Sequence, residues 1–155
     1  MIRVQGDDFD IGAEIAKLKS GRTDIGAIVT FTGTMRDSSH GQTLDTMTLE
    51  HYPGMTEAEL ARIESEADAR WNLQACLIIH RYGRLKPGDN IVLVITASEH
   101  RAPAFRAAEF LMDYLKSHAP FWKSESGPDG ERWVEAETSD EAALSRWDDD
   151  KDAAE

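Results

Sequence analysis

The residues best suited to chemistry in this 155-residue chain are cations at the ends of its expected strands and helices. Arg36 follows the β-branched stretch Ala27–Phe31 and the turn pair Thr32-Gly33. Glycine there lets the backbone come close to a ligand, or simply makes the turn. His100 and Arg101 fall where the strand Ile91–Ala97 gives way to a helix. The free N–H groups of a helix start favour an anion. Lys116 closes the same helix, where a lysine is also an ordinary partner for the helix dipole. Lys123 follows Phe121 and Trp122, and an ammonium kept dry by aromatic neighbours serves as an acid or base. Together these residues describe an anion-binding catalytic cluster. The plain alternative is a set of cations that solvate the surface.

Other chemistries lack their residues. The lone cysteine, Cys76, lies inside the apolar run Ala75–Ile79, reads as a small core hydrophobe and forms no internal disulfide. His40, His51, His80, His100 and His118 show no metal-ligand spacing, so no zinc site and no other metal is expected. The glycine-rich phosphate loops and the G-x-S-x-G nucleophile elbow are missing, and no cofactor is expected. One geometric constraint bears on the cations. Arg101 and Lys116 lie on one helical stripe, about 22 Å apart at 1.5 Å per residue. A small ligand cannot touch both on one helix. If both serve one site they come from different copies, which predicts a homodimer with sites near its interface.

The elements that must hold these side chains follow from the apolar pattern. Ile2–Val4 reads as a strand, Ile11–Leu18 as an amphipathic helix, and Ala27–Phe31 as a strand ending in a turn. The polar stretch 37–43 reads as a mobile loop and Thr43–His51 as a strand. Thr56 and Glu59 form a capping box for a helix carrying Leu60, Ile63, Ala67 and Trp71. Ala75–Tyr82 and Ile91–Ala97 are strands around the turn 85–89, and a helix runs from Pro103 to Ser117, stopped by Pro120. Phe121–Ser124 and Arg132–Ala136 flank the turn 127–130 as a hairpin. Strands and helices mix without strict alternation. The expected fold is therefore α+β, a single domain with a mixed or antiparallel sheet and flanking helices. Residues 1–147 make the domain, and 148–155 an acidic, disordered tail.

Charge narrows the partners. The chain carries 17 Lys and Arg against 29 Asp and Glu, a net −12, which argues against nucleic acid or an anionic membrane as partner. The longest apolar runs are five residues, far short of a membrane span, and the N-terminus lacks a secretory pattern. A soluble cytoplasmic protein is expected. Arg81 to Lys123 nevertheless holds seven bases and only four acids, a net of +3.

Longer motifs carry a resemblance. VTFTGTMRD (29–37), TLEHYPGMTE (48–57), IIHRYGRLKPGD (78–89), ITASEHRAPAF (95–105), MDYLKSHAPFWKSE (112–125) and GERWVEA (130–136) resemble the large, catalytic subunits of molybdopterin synthase. The resemblance spans about residues 2 to 147 and implies an α/β-hammerhead-like fold. It implies a sulfurtransferase of molybdenum cofactor biosynthesis, which converts cyclic pyranopterin monophosphate to molybdopterin by installing the dithiolene sulfurs. The sulfur would arrive as a thiocarboxylate on the C-terminal Gly-Gly of a small ubiquitin-like subunit, within a heterotetramer built on a homodimer.

The resemblance implies that Lys116 and Lys123 are catalytic and also touch the substrate. Arg36, His100 and Arg101 would bind its phosphate and pterin, with Thr34, Met35, Ser124 and Glu125 beside them. Phe31 and Met112 would shape the pocket. Lys123 is the expected proton-transfer residue, and Lys116 the contact to the partner's terminal carbonyl. Three positions depart from the family pattern: Thr34 stands where a lysine is common, Met35 replaces a valine, and Glu137 replaces a basic residue. Losing two cations would weaken phosphate affinity or shift contacts to Arg132. The rival readings are a non-catalytic module that only docks the small subunit, and a phosphate-ester hydrolase using the same anion pocket.

Overall fold

A computed structural model describes residues 1–135 and 138–148. In chain order the elements are β1 (Ile2–Gln5), α1 (Ile11–Lys19), β2 (Ala27–Thr34), β3 (Ser38–Ser39), β4 (Gln42–Thr43), β5 (Thr46–His51) and α2 (Met55–Trp71). There follow β6 (Ala75–Arg81), β7 (Gly83–Leu85), β8 (Asn90–Ser98), α3 (Arg101–Ser117), β9 (Phe121–Gly127), β10 (Gly130–Val134) and α4 (Thr138–Leu144). A single 3-10 turn, Ser145–Trp147, comes after α4.

The first sheet has the order β1-β6-β8-β2; β1 runs parallel to β6 and the other pairs are antiparallel. Its central strands are apolar on both faces, because helices cover both. Ile78, Val92 and Val94 point to Leu60 and Ile63 of α2 and to Phe110 and Leu111 of α3. Their neighbours Leu77, Ile79, Leu93 and Ile95 point the other way, towards Ile11, Ile15 and Leu18 of α1. This is the two-residue alternation of a strand buried on both sides. The second sheet, β10-β9-β5-β7, is antiparallel throughout and closes a third core of Met35, Leu44, Met47, Leu49 and Leu85. The expected α+β class with mixed and antiparallel sheets is what forms.

Three local expectations are corrected. Thr56 does not cap α2: the helix starts at Met55 behind Gly54, whose φ is +85°, and Glu57 Oε2 accepts the Gly54 N–H at 2.7 Å. The Thr56 hydroxyl is buried instead; it accepts from the Tyr52 N–H and donates to the Pro120 carbonyl, tying α2 to the segment entering β9. The stretch 37–43 forms the β3–β4 hairpin, not a loop, with His40 (φ +50°) and Gly41 (φ +77°) as its two-residue turn. Positive φ at both central positions suits the twist of a tight hairpin. Thr32-Gly33 makes no turn: β2 continues to Thr34 with a register irregularity after Gly33. A Cβ on Gly33 would stand 2.8 Å from Val92 Cγ1, so glycine serves close strand packing there.

Residues 136–147 carried no expected element beyond the end of the hairpin, yet α4 and the 3-10 turn fold back on α3. Trp147 is buried between Trp71 and Phe110, edge-on to both rings, and its indole N–H donates to Asp113 at 2.7 Å. The tail expected at 148–155 lies outside the described residues after Asp148.

Candidate functional site

A cavity of about 460 Å³ opens where the two sheets meet the C-terminal end of α3. Its position follows from the elements. The end of β2 brings Thr34 and, just beyond it, Arg36; the last turns of α3 bring Met112 and Lys116, four residues apart on one helical face. β9 brings Phe121 and Lys123, which alternate with the outward-facing Trp122. Phe31 completes the apolar part of the wall. Six of the site residues named from sequence thus share one cavity: Phe31, Thr34, Arg36, Met112, Lys116 and Lys123.

The structure places the others elsewhere. Met35 is 4% exposed and packs into the core of the second sheet, its N–H donating to the Asp89 carbonyl. Ser124 is buried, and its hydroxyl donates to Glu131 Oε1 at 2.8 Å. Glu125 is buried without lining the cavity and pairs with Lys123 at 3.5 Å. His100 and Arg101 are exposed at the opposite end of α3 from Lys116. No single copy of the chain brings them to the cavity. The expectation that aromatic neighbours keep Lys123 dry is also corrected, since its side chain is 37% exposed and its ammonium faces a carboxylate.

Sequence reasoning missed several wall residues. His80 lies on β6 and stacks on Phe121; its Nδ1–H donates to the Arg81 carbonyl at 2.9 Å. Burial, with the Lys116 charge adding to it, pushes the imidazole down to about 4, so it is neutral at neutral pH. Its signal was the two-residue period from Ile78, which places His80 on the face that meets α3 and β9. His40, Glu135 and Asp140 also reach the wall. Asp140 comes from α4, which is held by its carbonyl accepting from the Ser117 hydroxyl at 2.9 Å. Arg36, Lys116 and Lys123 therefore face Glu135 and Asp140, which leaves a cationic excess. Such a wall suits an anion with an apolar body. Cys76 is no nucleophile: burial pushes its thiol up to about 12.

Comparison with known proteins agrees with this architecture. A family model described as MoaE protein matches residues 4–118. The chain is 58% identical over 146 residues to the molybdopterin synthase catalytic subunit of Ralstonia nicotianae, covering 94% of this chain and 83% of that one. Among solved structures, the molybdopterin biosynthesis MoaE protein from Burkholderia ambifaria MC40-6 matches with a TM-score of 0.82 at 53% identity, over 96% of this chain and 97% of that one. A complex of subunits 1 and 2 of the molybdopterin-converting factor from Helicobacter pylori 26695 shares the fold, with a TM-score of 0.69 at 16% identity over 86% of this chain and 90% of that one. With a family model over most of its length and a relative at 58% identity over nearly all of it, the chain belongs to the MoaE family of molybdopterin synthase catalytic subunits.

Proposed function

We propose that this chain transfers sulfur to cyclic pyranopterin monophosphate from the thiocarboxylated C-terminus of a small partner subunit, completing the dithiolene of molybdopterin. The observation that carries the reading is the convergence of Arg36, Lys116 and Lys123, which stand 80 and seven residues apart in sequence, on one cavity with an apolar wall. The substrate is a phosphate-bearing heterocycle, an anion with a flat body, and matches both halves of that wall. The buried Cys76 thiol is consistent with sulfur delivered from outside the chain. A catalytic subunit also implies another subunit, and the H. pylori relative is a complex of subunits 1 and 2.

In this reading the thiocarboxylate sulfur attacks a side-chain carbon of the substrate. The C–S bond forms as a C–O bond at that carbon breaks, and Arg36 and the two lysines stabilise the charge on the departing oxygen. Lys123 moves the proton, and Lys116 holds the partner's terminal carbonyl. Water then hydrolyses the resulting thioester, leaving the sulfur on the substrate as a thiol and the small subunit as a carboxylate. A second thiocarboxylate supplies the other sulfur in the same way. His100 and Arg101 enter from a second copy, in a cytoplasmic heterotetramer built on a homodimer. The test mixes the chain with thiocarboxylated small subunit and cyclic pyranopterin monophosphate and assays for molybdopterin. Product formation is expected. A complex that assembles and yields none would leave a docking module instead of an enzyme.

A further inference from the structure

Lys123 and Glu125 project from the same face of β9, and Arg132 stands directly across the hairpin from Glu125 in the β10 register. Glu125 is 3% exposed, yet it is a carboxylate, and a charge so buried is tolerated only when paired. It divides its two oxygens. Oε1 lies 3.5 Å from Lys123 Nζ, and Oε2 accepts from the Arg132 guanidinium at 3.1 Å. The other arm of Arg132 donates to the Gln42 side-chain carbonyl on β4. That strand closes the hairpin whose turn carries His40 to the cavity wall.

Arg132 itself lines a separate, smaller cavity of about 140 Å³ with Gln42 and Glu125, not the cavity of the lysines. Its partners there differ from the phosphate contacts expected for it from sequence. Its shortest route to the Lys123 ammonium therefore passes through Glu125. Alone with Lys123, a buried carboxylate would draw the ammonium into a close pair, away from the substrate. A guanidinium is always charged and its planar fork fixes direction. Held from behind, Glu125 offers Lys123 a single oxygen, and the ammonium stays half-exposed at the wall.

We propose that Arg132 is a positioning residue for sulfur transfer, setting the place of the Lys123 ammonium through Glu125. This rests on the reading of Lys123 as catalytic. The test measures kcat and KM of the reconstituted complex for Arg132→Gln, Arg132→Lys, Glu125→Gln and the Glu125→Gln/Arg132→Gln pair, with thermal midpoint and small-subunit affinity measured alongside. Arg132→Gln is expected to lower kcat about 10- to 100-fold with KM within about twofold, because a small displacement of a catalytic group is that costly. Arg132→Lys should recover part of the loss. In the Glu125→Gln background, Arg132→Gln should cost nothing further, whereas a general structural role would multiply the two losses.

Wild-type kcat in Arg132→Gln, multiplied losses in the pair, or a change confined to KM would each overturn the proposal. If Arg132→Gln does not fold, Gln42→Leu takes its place. That variant removes one anchor of the guanidinium without changing charge, and must lower kcat in the same sense. Lys123→Ala separates the two levels. If it turns over normally, the reading of the site fails; if it is inactive while Arg132→Gln is normal, only the positioning role fails.

Discussion

The imidazole of His80 stacks on the ring of Phe121, with centroids 3.7 Å apart and planes 19° from parallel, and both rings line the cavity of the lysines. The stack and the Nδ1–H bond to the Arg81 carbonyl fix one tautomer and leave the lone pair on Nε2. A ring held this way resists a second proton, all the more with Lys116 nearby.

Acid sensitivity follows with a definite sign. The folded imidazole titrates at about 4, whereas an unfolded one titrates at about 6.5. Between these values the unfolded chain binds a proton that the folded chain refuses, so stability is full above pH 6.5 and falls as pH drops to 4. The expected loss is on the order of 3 kcal/mol. Denaturant unfolding of wild type and His80→Phe from pH 7 to pH 4 checks it. The phenylalanine keeps the stack and cannot titrate, so its curve should be flatter by that amount. Parallel curves would show that His80 takes no part in acid unfolding.

The C-terminal latch should be worth as much as a core side chain. Trp147 is 2% exposed against Trp71 and Phe110, its indole N–H reaches Asp113, and its carbonyl accepts from Arg70 at 3.0 Å. Trp147→Ala is expected to cost about 3–5 kcal/mol in denaturant unfolding. Removal of residues 149–155, beyond the latch, should leave the midpoint unchanged. A drop in the shortened chain equal to that of Trp147→Ala would move the domain boundary past residue 148.

These elements also show what the sequence exposes and what it hides. The strands β6 and β8 were legible as unbroken apolar runs, the mark of strands covered by helices on both faces, and Lys116 and Lys123 because they stand at element ends. Thr56 misled because a buried hydroxyl bridging two backbone segments has the same sequence signature as an N-cap. His80 enters the sequence reading only as a histidine without metal-ligand spacing, and the stack on Phe121 gives it its place at the wall. Asp140 reaches the wall through the packing of α4 on α3, which no local periodicity records. The Glu125–Arg132 pair was hidden because the expected strand stops at Ser124, whereas β9 runs on to Gly127 and sets Glu125 across from Arg132.

Thr34 offers a gain-of-affinity test. It lines the cavity with Arg36, at the position where the motif resemblance implies a lysine. Thr34→Lys adds a cation to a wall already in cationic excess, so it should favour a phosphate-bearing substrate without touching the proton transfer. KM for the pterin should fall about two- to fivefold at low salt, with kcat little changed and the gain shrinking as salt rises. A higher KM would mean that the added ammonium repels Lys116 or Lys123 more than it attracts substrate.

The strongest test of a shared site uses two defective chains. Arg101 and Lys116 begin and end α3, about 22 Å apart, so one copy cannot present both to a small ligand. If a second copy supplies His100 and Arg101, then Arg101→Ala and Lys123→Ala damage opposite partners of each site. A dimer of one chain of each kind then holds one doubly damaged site and one intact site. Each variant alone should be inactive. After co-refolding in equal amounts, half the dimers are mixed and half their sites work, so activity should return to about one quarter of wild type. Lack of recovery in dimers shown to be mixed would mean that the loss of Arg101 acts within its own chain and not on the partner's site. Recovery also has a ceiling: activity well above one quarter would mean that one of the two substitutions leaves its own site working.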